Sequence, residues 1–305
     1  MNGLDLSRAF YEQHGQPMLE SEFPELAPLV AVGLFGSGSE CLGYDDDVSE
    51  DHDFEPGFRI LLPEEALVDR RQAFLLERAY AKLPREFMGH TRPVLQPVGG
   101  ARRGVQRTAE FFTKTVGAPN GVLSPDAWLR IPEQALLEAT NGEVWHDPFG
   151  EVTRIRATLS RFPEDVRRKR LAGQLLLMAQ AGQYNVPRCL KHGEREAAQL
   201  AAAEFVKSAL SAIFLLNGRY QPYYKWAFRA LRELPALSEQ AQPLAAILSE
   251  PDADRIESVC AAVLAALRAE GLTSAPGEDL ERHAYAVNDT IRDAEMRNLH
   301  ILAGV

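Results

Sequence analysis

From Phe162-Pro163 to the last residue, nearly every stretch of the chain repeats its apolar residues at the helical period, and Ala and Leu dominate it. A segment with that pattern offers no edge to a sheet and has to pack as helices on helices. The spacing predicts helices over residues 164–180, 194–216, 223–234, 237–249, 252–270 and 279–302. The preceding part reads differently, and the change of pattern across residues 151–163 divides the chain into 1–155 and 156–305.

The first part mixes periods. Residues 3–14 carry Leu4, Leu6, Phe10 and Tyr11 at helical spacing, and Pro24 and Pro28 then break the chain. Residues 29–35 (LVAVGLF) form a continuous apolar run that stops at Gly36-Ser37-Gly38-Ser39, the pattern of a buried strand and a tight turn. Further strand-like pieces lie within residues 53–62, 91–98, 104–108 and 142–146. Helical patterns cover 64–83, 109–116 and 125–139, and Asp147-Pro148-Phe149-Gly150 reads as a turn. The expected architecture is an α+β domain, a mixed sheet with flanking helices, followed by an all-α bundle.

Charge follows the same division. The net charge is −10, yet residues 156–305 hold 18 acids against 19 bases, while residues 1–155 hold 25 acids against 14 bases. Eight acids (Glu40, Asp45, Asp46, Asp47, Glu50, Asp51, Asp53 and Glu55) crowd one stretch without a single Lys or Arg. Such a balance argues against duplex nucleic acid held by general electrostatics. Cys41, Cys189 and Cys260 are far apart and match no zinc spacing, which fits a reducing compartment. No apolar run approaches the roughly 18 residues of a membrane span, and residues 1–13 lack the basic and apolar regions of a signal peptide. The expectation is a cytoplasmic protein with no membrane partner.

The stretch GLFGSGSECLGYDDDVSEDHDF, residues 33–54, carries the chemistry. It is not a dinucleotide fingerprint, because the third glycine position is Cys41 and an acidic loop follows where a helix is needed. It is not an EF-hand either, since the obligatory sixth-position glycine is Glu50 or His52. Asp51-His52-Asp53 places two carboxylates at i and i+2, which in a strand project from one face. Two such carboxylates without a cation beside them repel, and Mg²⁺ suits the pair because it takes one or two carboxylates and completes its shell with water and phosphate oxygens. The Gly-Ser turn would offer backbone N–H groups and a hydroxyl to those phosphates.

Gly36-Ser37 followed by Asp51-x-Asp53 resembles the nucleotidyltransferase signature of the polymerase-β-like fold. The plan of a small α/β domain followed by helices is similar to that of aminoglycoside nucleotidyltransferases. More narrowly, GSGSECLGYDDDVSEDHDFEPGF and LNGRYQPYYKW (residues 216–226) resemble the bacterial family catalogued as domain of unknown function 4037. The resemblance implies that Asp51 and Asp53 hold one or two Mg²⁺, with Mn²⁺ as a substitute. It implies that Gly36, Ser37, Gly38 and Ser39 meet the phosphates of an NTP such as ATP, and that a hydroxyl-type acceptor on a small molecule or protein receives the NMP group. The family pattern adds a third carboxylate on a later strand. The matching strand reads Gly-Val-Gln-Arg-Thr, with Gln106 where the acid would stand; Glu110, Glu143 and Asp147 are the neighbouring acids. That departure keeps a second expectation open, a nucleotide-binding or scaffold protein with the fold and without the full chemistry.

Other residues have two readings each. Tyr220, Tyr223, Tyr224, Lys225 and Trp226 form an aromatic-cationic cluster; Tyr224 could stack on a base and Lys225 could neutralise phosphate, or the cluster is helix packing. Asp45–Asp47 read as solvated loop, His52 as a packed strand residue, and Glu40 lies close enough to the turn to take part. Arg102, Arg103 and Arg107 meet phosphates or solvent. The run Arg167-Arg168-Lys169-Arg170 reads as a solvated helix face, able to draw in a triphosphate, and Leu171, Leu175 and Met178 as core. The acceptor and the assembly state are open, a homodimer among the allowed states.

Overall fold

The computed structural model describes residues 1–46, 55–92 and 103–305. They form two compact units: Met1–Val122 with Ala135–Ser160, and Leu123–Gln134 with Arg161–Val305. The expected division after residue 155 therefore falls inside a helix, Glu151–Leu159, whose Val152, Ile155 and Leu159 are buried. Residues 123–134 belong to the second unit although they precede that division.

In the first unit, α1 (Gly3–Phe10) is capped by the Asn2 side chain and runs through a π-helical turn, Tyr11–Gly15, into α2 (Gln16–Glu22). Strands β1 (Ala31–Leu34) and β2 (Arg59–Leu62) pair antiparallel. Helix α3 (Arg70–Lys82) starts six residues later than its periodicity predicts, because Asp69 and Gln72 close a capping box there. A short hairpin joins β3 (Glu86–Phe87) to β4 (His90–Thr91); the rest of the strand expected over 91–98 lies outside the described residues, apart from Arg92. Strand β5 (Gly104–Arg107) leads directly into α4 (Thr108–Val116). The helix expected over 125–139 is two helices, α5 (Pro125–Arg130), which belongs to the second unit, and α6 (Glu133–Thr140), because Ile131 is extended ahead of Pro132, which has no N–H to continue the ladder. Strand β6 (Glu143–His146) and α7 (Glu151–Leu159) complete the unit.

The sheet order is β5-β2-β1-β6, with β5 parallel to β2 and β6 antiparallel to β1. The arrangement is a small mixed sheet with flanking helices, followed by helices. One face of the sheet presents Val32, Ile60, Leu62, Val105 and Trp145 to Leu6, Phe10, Tyr11, Leu76 and Tyr80. Full burial of each large side chain in such a core is worth about 1.5–3 kcal/mol. The geometry brings the end of β1 and the starts of β2, β5 and β6 to one edge of the sheet.

The second unit is helical: α8 (Glu164–Met178), α9 (Val186–His192), α10 (Arg195–Leu216), α11 (Tyr224–Arg232), α12 (Ala241–Ser249), α13 (Ala253–Ala269), α14 (Leu280–Asp289) and α15 (Ala294–Asn298). A π-helical segment, Ala179–Asn185, carries α8 into α9, a helix the periodicity did not predict. The helix expected over 279–302 is broken between α14 and α15, where Asp165 accepts the backbone N–H groups of Arg292 and Asp293 and turns the chain. Leu171, Leu175 and Met178 are buried. By length and composition α10 is apolar enough to cross a membrane, which the absence of a long apolar run did not anticipate; 67% of its most apolar window is buried inside the protein, as in a core helix.

The basic run on α8 is not a solvated face. Arg167 bonds Glu164, Glu270 and the Leu215 carbonyl, and Arg168 bonds Glu164 and the Thr290 carbonyl. Lys169 is fully buried, and its ammonium donates to Asn288 Oδ1 at 2.9 Å and to the carbonyls of Leu299 at 2.7 Å and Arg297 at 3.3 Å. Arg170 is buried against Glu133 and the carbonyls of Leu129 and Ile131. These four cations hold the helical unit together.

Burial keeps the Glu133 carboxyl above its ordinary pKa and the Arg170 guanidinium below its own, so desolvation outweighs the attraction of the pair. A carboxyl raised in the folded state contributes stability that is complete below the unfolded pKa of about 4.3 and is lost as pH rises through the folded value. In urea titrations between neutral pH and pH 4, the stability of the wild type relative to Glu133→Gln should therefore rise as the pH falls.

Candidate active site

Strand β1 leaves the sheet at Leu34 and Phe35 and turns at Gly36–Ser39 into a short 3₁₀ turn, Glu40–Leu42. Gly36 and Gly38 have φ of 112° and 130°, backbone angles that strain any residue with a Cβ. The turn is braced from one side. The Asn141 carboxamide accepts the Gly36 N–H at 2.8 Å and donates to the Gly36 carbonyl at 2.8 Å. Gly142 N–H donates to the Cys41 carbonyl at 2.9 Å, and the Cys41 thiol leans on the Ser37 carbonyl. Gly36 therefore has no free N–H for a phosphate, contrary to the expectation for its backbone. Ser37 is exposed and Gly38 and Ser39 are half-buried, and the amides of Gly38 and Ser39 bond to no described residue.

Three arginines brought in from distant positions surround this end of the sheet. Arg59, the first residue of β2, is buried; its Nε donates to the Phe35 carbonyl at 2.9 Å, and its guanidinium lies 5.1 Å from the Phe111 ring centre and close beneath Gly36. Arg156 on α7 stacks on the other ring, Phe35, at 4.7 Å and donates to the carbonyls of Thr140 and Asn141 at 2.9 and 2.7 Å. Its Nη1 is buried without a partner, and burial pushes its pKa down to about 10. Arg103, directly before β5, is 5% exposed and donates to Glu55 at 2.6 Å and to Glu40 at 3.5 Å.

Arg103 corrects two expectations. The acidic stretch has a cation beside it after all, and that cation is neither a solvated arginine nor free to meet phosphate. One guanidinium serves a carboxylate on each side of residues 41–54, Glu40 after the Gly-Ser turn and Glu55 two positions beyond Asp53. Asp45 is likewise no solvated residue: its Oδ2 accepts the Gly3 N–H at 2.6 Å, a carboxylate at the positive end of α1. Arg107 donates to the Pro63 carbonyl at 2.8 Å.

Asp51 and Asp53, and with them Asp47, Glu50, His52 and Arg102, lie outside the described residues. Among the described residues, no group of three His, Cys, Asp or Glu side chains is placed to hold a metal ion. The neighbouring acids have other partners. Glu143 pairs with Arg8 and accepts the Trp145 indole N–H, Asp147 caps the turn by accepting the N–H groups of Gly150 and Thr153, and Glu110 sits exposed in the first turn of α4. Gln106 stands opposite Leu61 in the parallel pair, with its amide nitrogen buried and unpartnered.

Tyr224 and Lys225 open α11 in the second unit, and the Gly36–Ser39 turn belongs to the first. Tyr224 is 74% exposed, its ring 4.2 Å from that of Tyr223, and Lys225 and Arg229 both lie over the Trp226 ring. Tyr220, four residues before Tyr224, is buried against Phe162, and Gln221 N–H donates to Glu133 at 2.8 Å. Glu133 and Arg170 thus fix the segment that precedes α11. The sequence reads Arg170 as part of a solvated face and gives no sign of Glu133, Asn141 or Arg156; the one local signal is Asn141-Gly142 at a helix end, which specifies a turn and nothing more.

Residues 128–227 match the family described as Domain of unknown function (DUF4037). The DUF4037 resemblance is shown over that segment, about a third of the chain. No curated protein and no solved structure matches the chain. The DUF4037 segment contains Glu133, Asn141, Arg156, Arg170 and the Tyr220–Trp226 cluster; the Gly36–Ser39 turn and the acid pair lie outside it.

The Arg103 geometry makes a direct prediction. Arg103→Leu removes the guanidinium that Glu40 and Glu55 share and should destabilise the protein by about 3–5 kcal/mol at neutral pH. Adding Glu55→Gln should recover part of that loss in urea unfolding.

Proposed function

We propose that the chain is a Mg²⁺-dependent nucleotidyltransferase that moves an NMP group from an NTP to a hydroxyl-type acceptor, with release of pyrophosphate. The observation that carries the reading is the Gly36–Ser39 turn. It follows the central strand of a small mixed sheet, its φ angles demand glycine, and buried guanidiniums lie beneath it. Oriented amides above fixed positive charge suit a polyphosphate.

Asp51 and Asp53 are the residues proposed to hold Mg²⁺, with Mn²⁺ as a substitute. The donor chemistry of the acidic stretch fits a hard cation: Asp51 and Asp53 offer carboxylate oxygens, and Glu40 and Glu55, the carboxylates on either side of them in the sequence, share Arg103. When bound, the ion supplies neutralisation of charge on phosphate oxygens. The protein's own part is binding and alignment: Ser37, Gly38 and Ser39 take phosphate oxygens, and Arg59 and Arg156 supply a field that needs no rearrangement during transfer. Tyr224 and Lys225 have the chemistry for a base and a phosphate. The three free thiols favour a cytoplasmic setting.

Gln106 favours a second reading, a nucleotide-binding or scaffold protein without turnover. Its amide occupies the strand position where a third acid would stand, and Glu110, Glu143 and Asp147 are engaged or turned elsewhere.

Asp51→Asn and Asp53→Asn should each abolish Mg-NTP-dependent pyrophosphate release while circular dichroism and melting temperature stay unchanged. Wild-type rates in the double variant would overturn the assignment. Mg-ATP binding by calorimetry with no release over a panel of acceptors favours the second reading.

A further inference from the structure

The Gly-Ser turn is shaped by residues more than a hundred positions away. Both polar groups of Gly36 are taken by one side chain, Asn141, at 2.8 Å each. The Asn141 backbone is itself held, because Arg156 Nη2 donates to its carbonyl at 2.7 Å and to that of Thr140 at 2.9 Å. The same guanidinium stacks on Phe35, the residue before Gly36. Gly142 N–H then ties the next position to Cys41. A two-point carboxamide contact of this kind ties the two peptide planes on either side of the Gly36 Cα to one another, and so restrains the direction in which the following amides of Gly38 and Ser39 point.

We propose that Asn141, braced by Arg156, is a positioning residue for polyphosphate at this turn. It touches no substrate. By occupying Gly36 it restricts the phosphate donors to Ser37, Gly38 and Ser39 and holds them in one orientation, so that binding does not have to order the turn. The inference rests on the nucleotide reading of the site.

The test is calorimetric titration of the full chain with a Mg-bound non-hydrolysable ATP analogue, which needs no acceptor and no turnover. Asn141→Ala should raise the Kd by about tenfold or more, the scale of losing one oriented hydrogen-bonding contact, with an unchanged circular dichroism spectrum. Asn141→Asp keeps the shape and the acceptor for Gly36 N–H but sets a carboxylate oxygen against the Gly36 carbonyl. Its Kd should be raised at neutral pH and should recover, relative to Asn141→Ala, on acidification, when the protonated carboxyl regains a donor. Packing alone would not produce that pH dependence. In amide exchange, Gly36 should be protected in the wild type and lose protection in Asn141→Ala. If Asn141→Ala does not fold, Asn141→Asp decides by its pH profile. An unchanged Kd in the variants of a wild type that binds overturns the role of Asn141 alone. A wild type that binds no Mg-nucleotide overturns the nucleotide reading, and this inference with it.

Discussion

The first unit depends on how closely β6 approaches β1. A Cβ at Gly33 would strike the Glu143 carbonyl, and a Cβ at Gly142 would strike the Leu34 carbonyl, so glycine on both strands lets the two backbones meet. The pairing slips by one residue between Val32 and Gly33, and beyond the slip the start of β6 lies against the end of β1, Glu143 opposite Leu34. Asn141, one residue ahead of that contact, reaches Gly36 for this reason. Everything else at that edge follows from a turn whose position is fixed by backbone contact and not by a side chain of its own.

Cations at this edge act from below the surface. Arg59 and Arg156 lie against Phe35, and Arg103 lies between two glutamates. In the second unit Lys169 and Arg170 are buried as well, and Lys169 faces only neutral oxygens. Three acceptors replace the water of that ammonium, while burial pushes its pKa below the ordinary lysine value. Charge of one sign clustered in a sequence is thus no guide to exposure. Exposure is decided by which helix ends and carbonyls the fold turns toward the side chain.

The strand at LVAVGLF, the turn after it, β5, β6 and the long helices were legible because their signals are local: apolar runs, glycines and a 3.6-residue period. Three kinds of feature were not. The π-helical joins at Tyr11–Gly15 and Ala179–Asn185 keep the helical pattern while adding a residue, so periodicity placed a helix end at residue 180 where the chain continues into α9. The start of α3 is set by the Asp69–Gln72 box, and the earlier Pro63-Glu64-Glu65 imitates such a start. The bracing of the candidate site was hidden because Asn141, Arg156 and Arg103 are far from Gly36 in sequence and carry no motif. Each acts by meeting a backbone group or a carboxylate that only the sheet order brings near.

The parallel pairing of β2 with β5 decides where Gln106 and Arg103 stand. Arg59 faces Gly104 and Leu61 faces Gln106, so the side chain at 106 stands further into the sheet than the edge where Gly36 lies. At that edge the residue leading into β5 is Arg103, a cation already shared by Glu40 and Glu55. A carboxylate placed there would replace the guanidinium that Glu40 and Glu55 share and would face both of them, which like-charge repulsion and burial oppose. The two ends of the acidic stretch, Glu40 and Glu55, unbalanced in the sequence, thus meet a guanidinium that the sheet order brings from the start of β5.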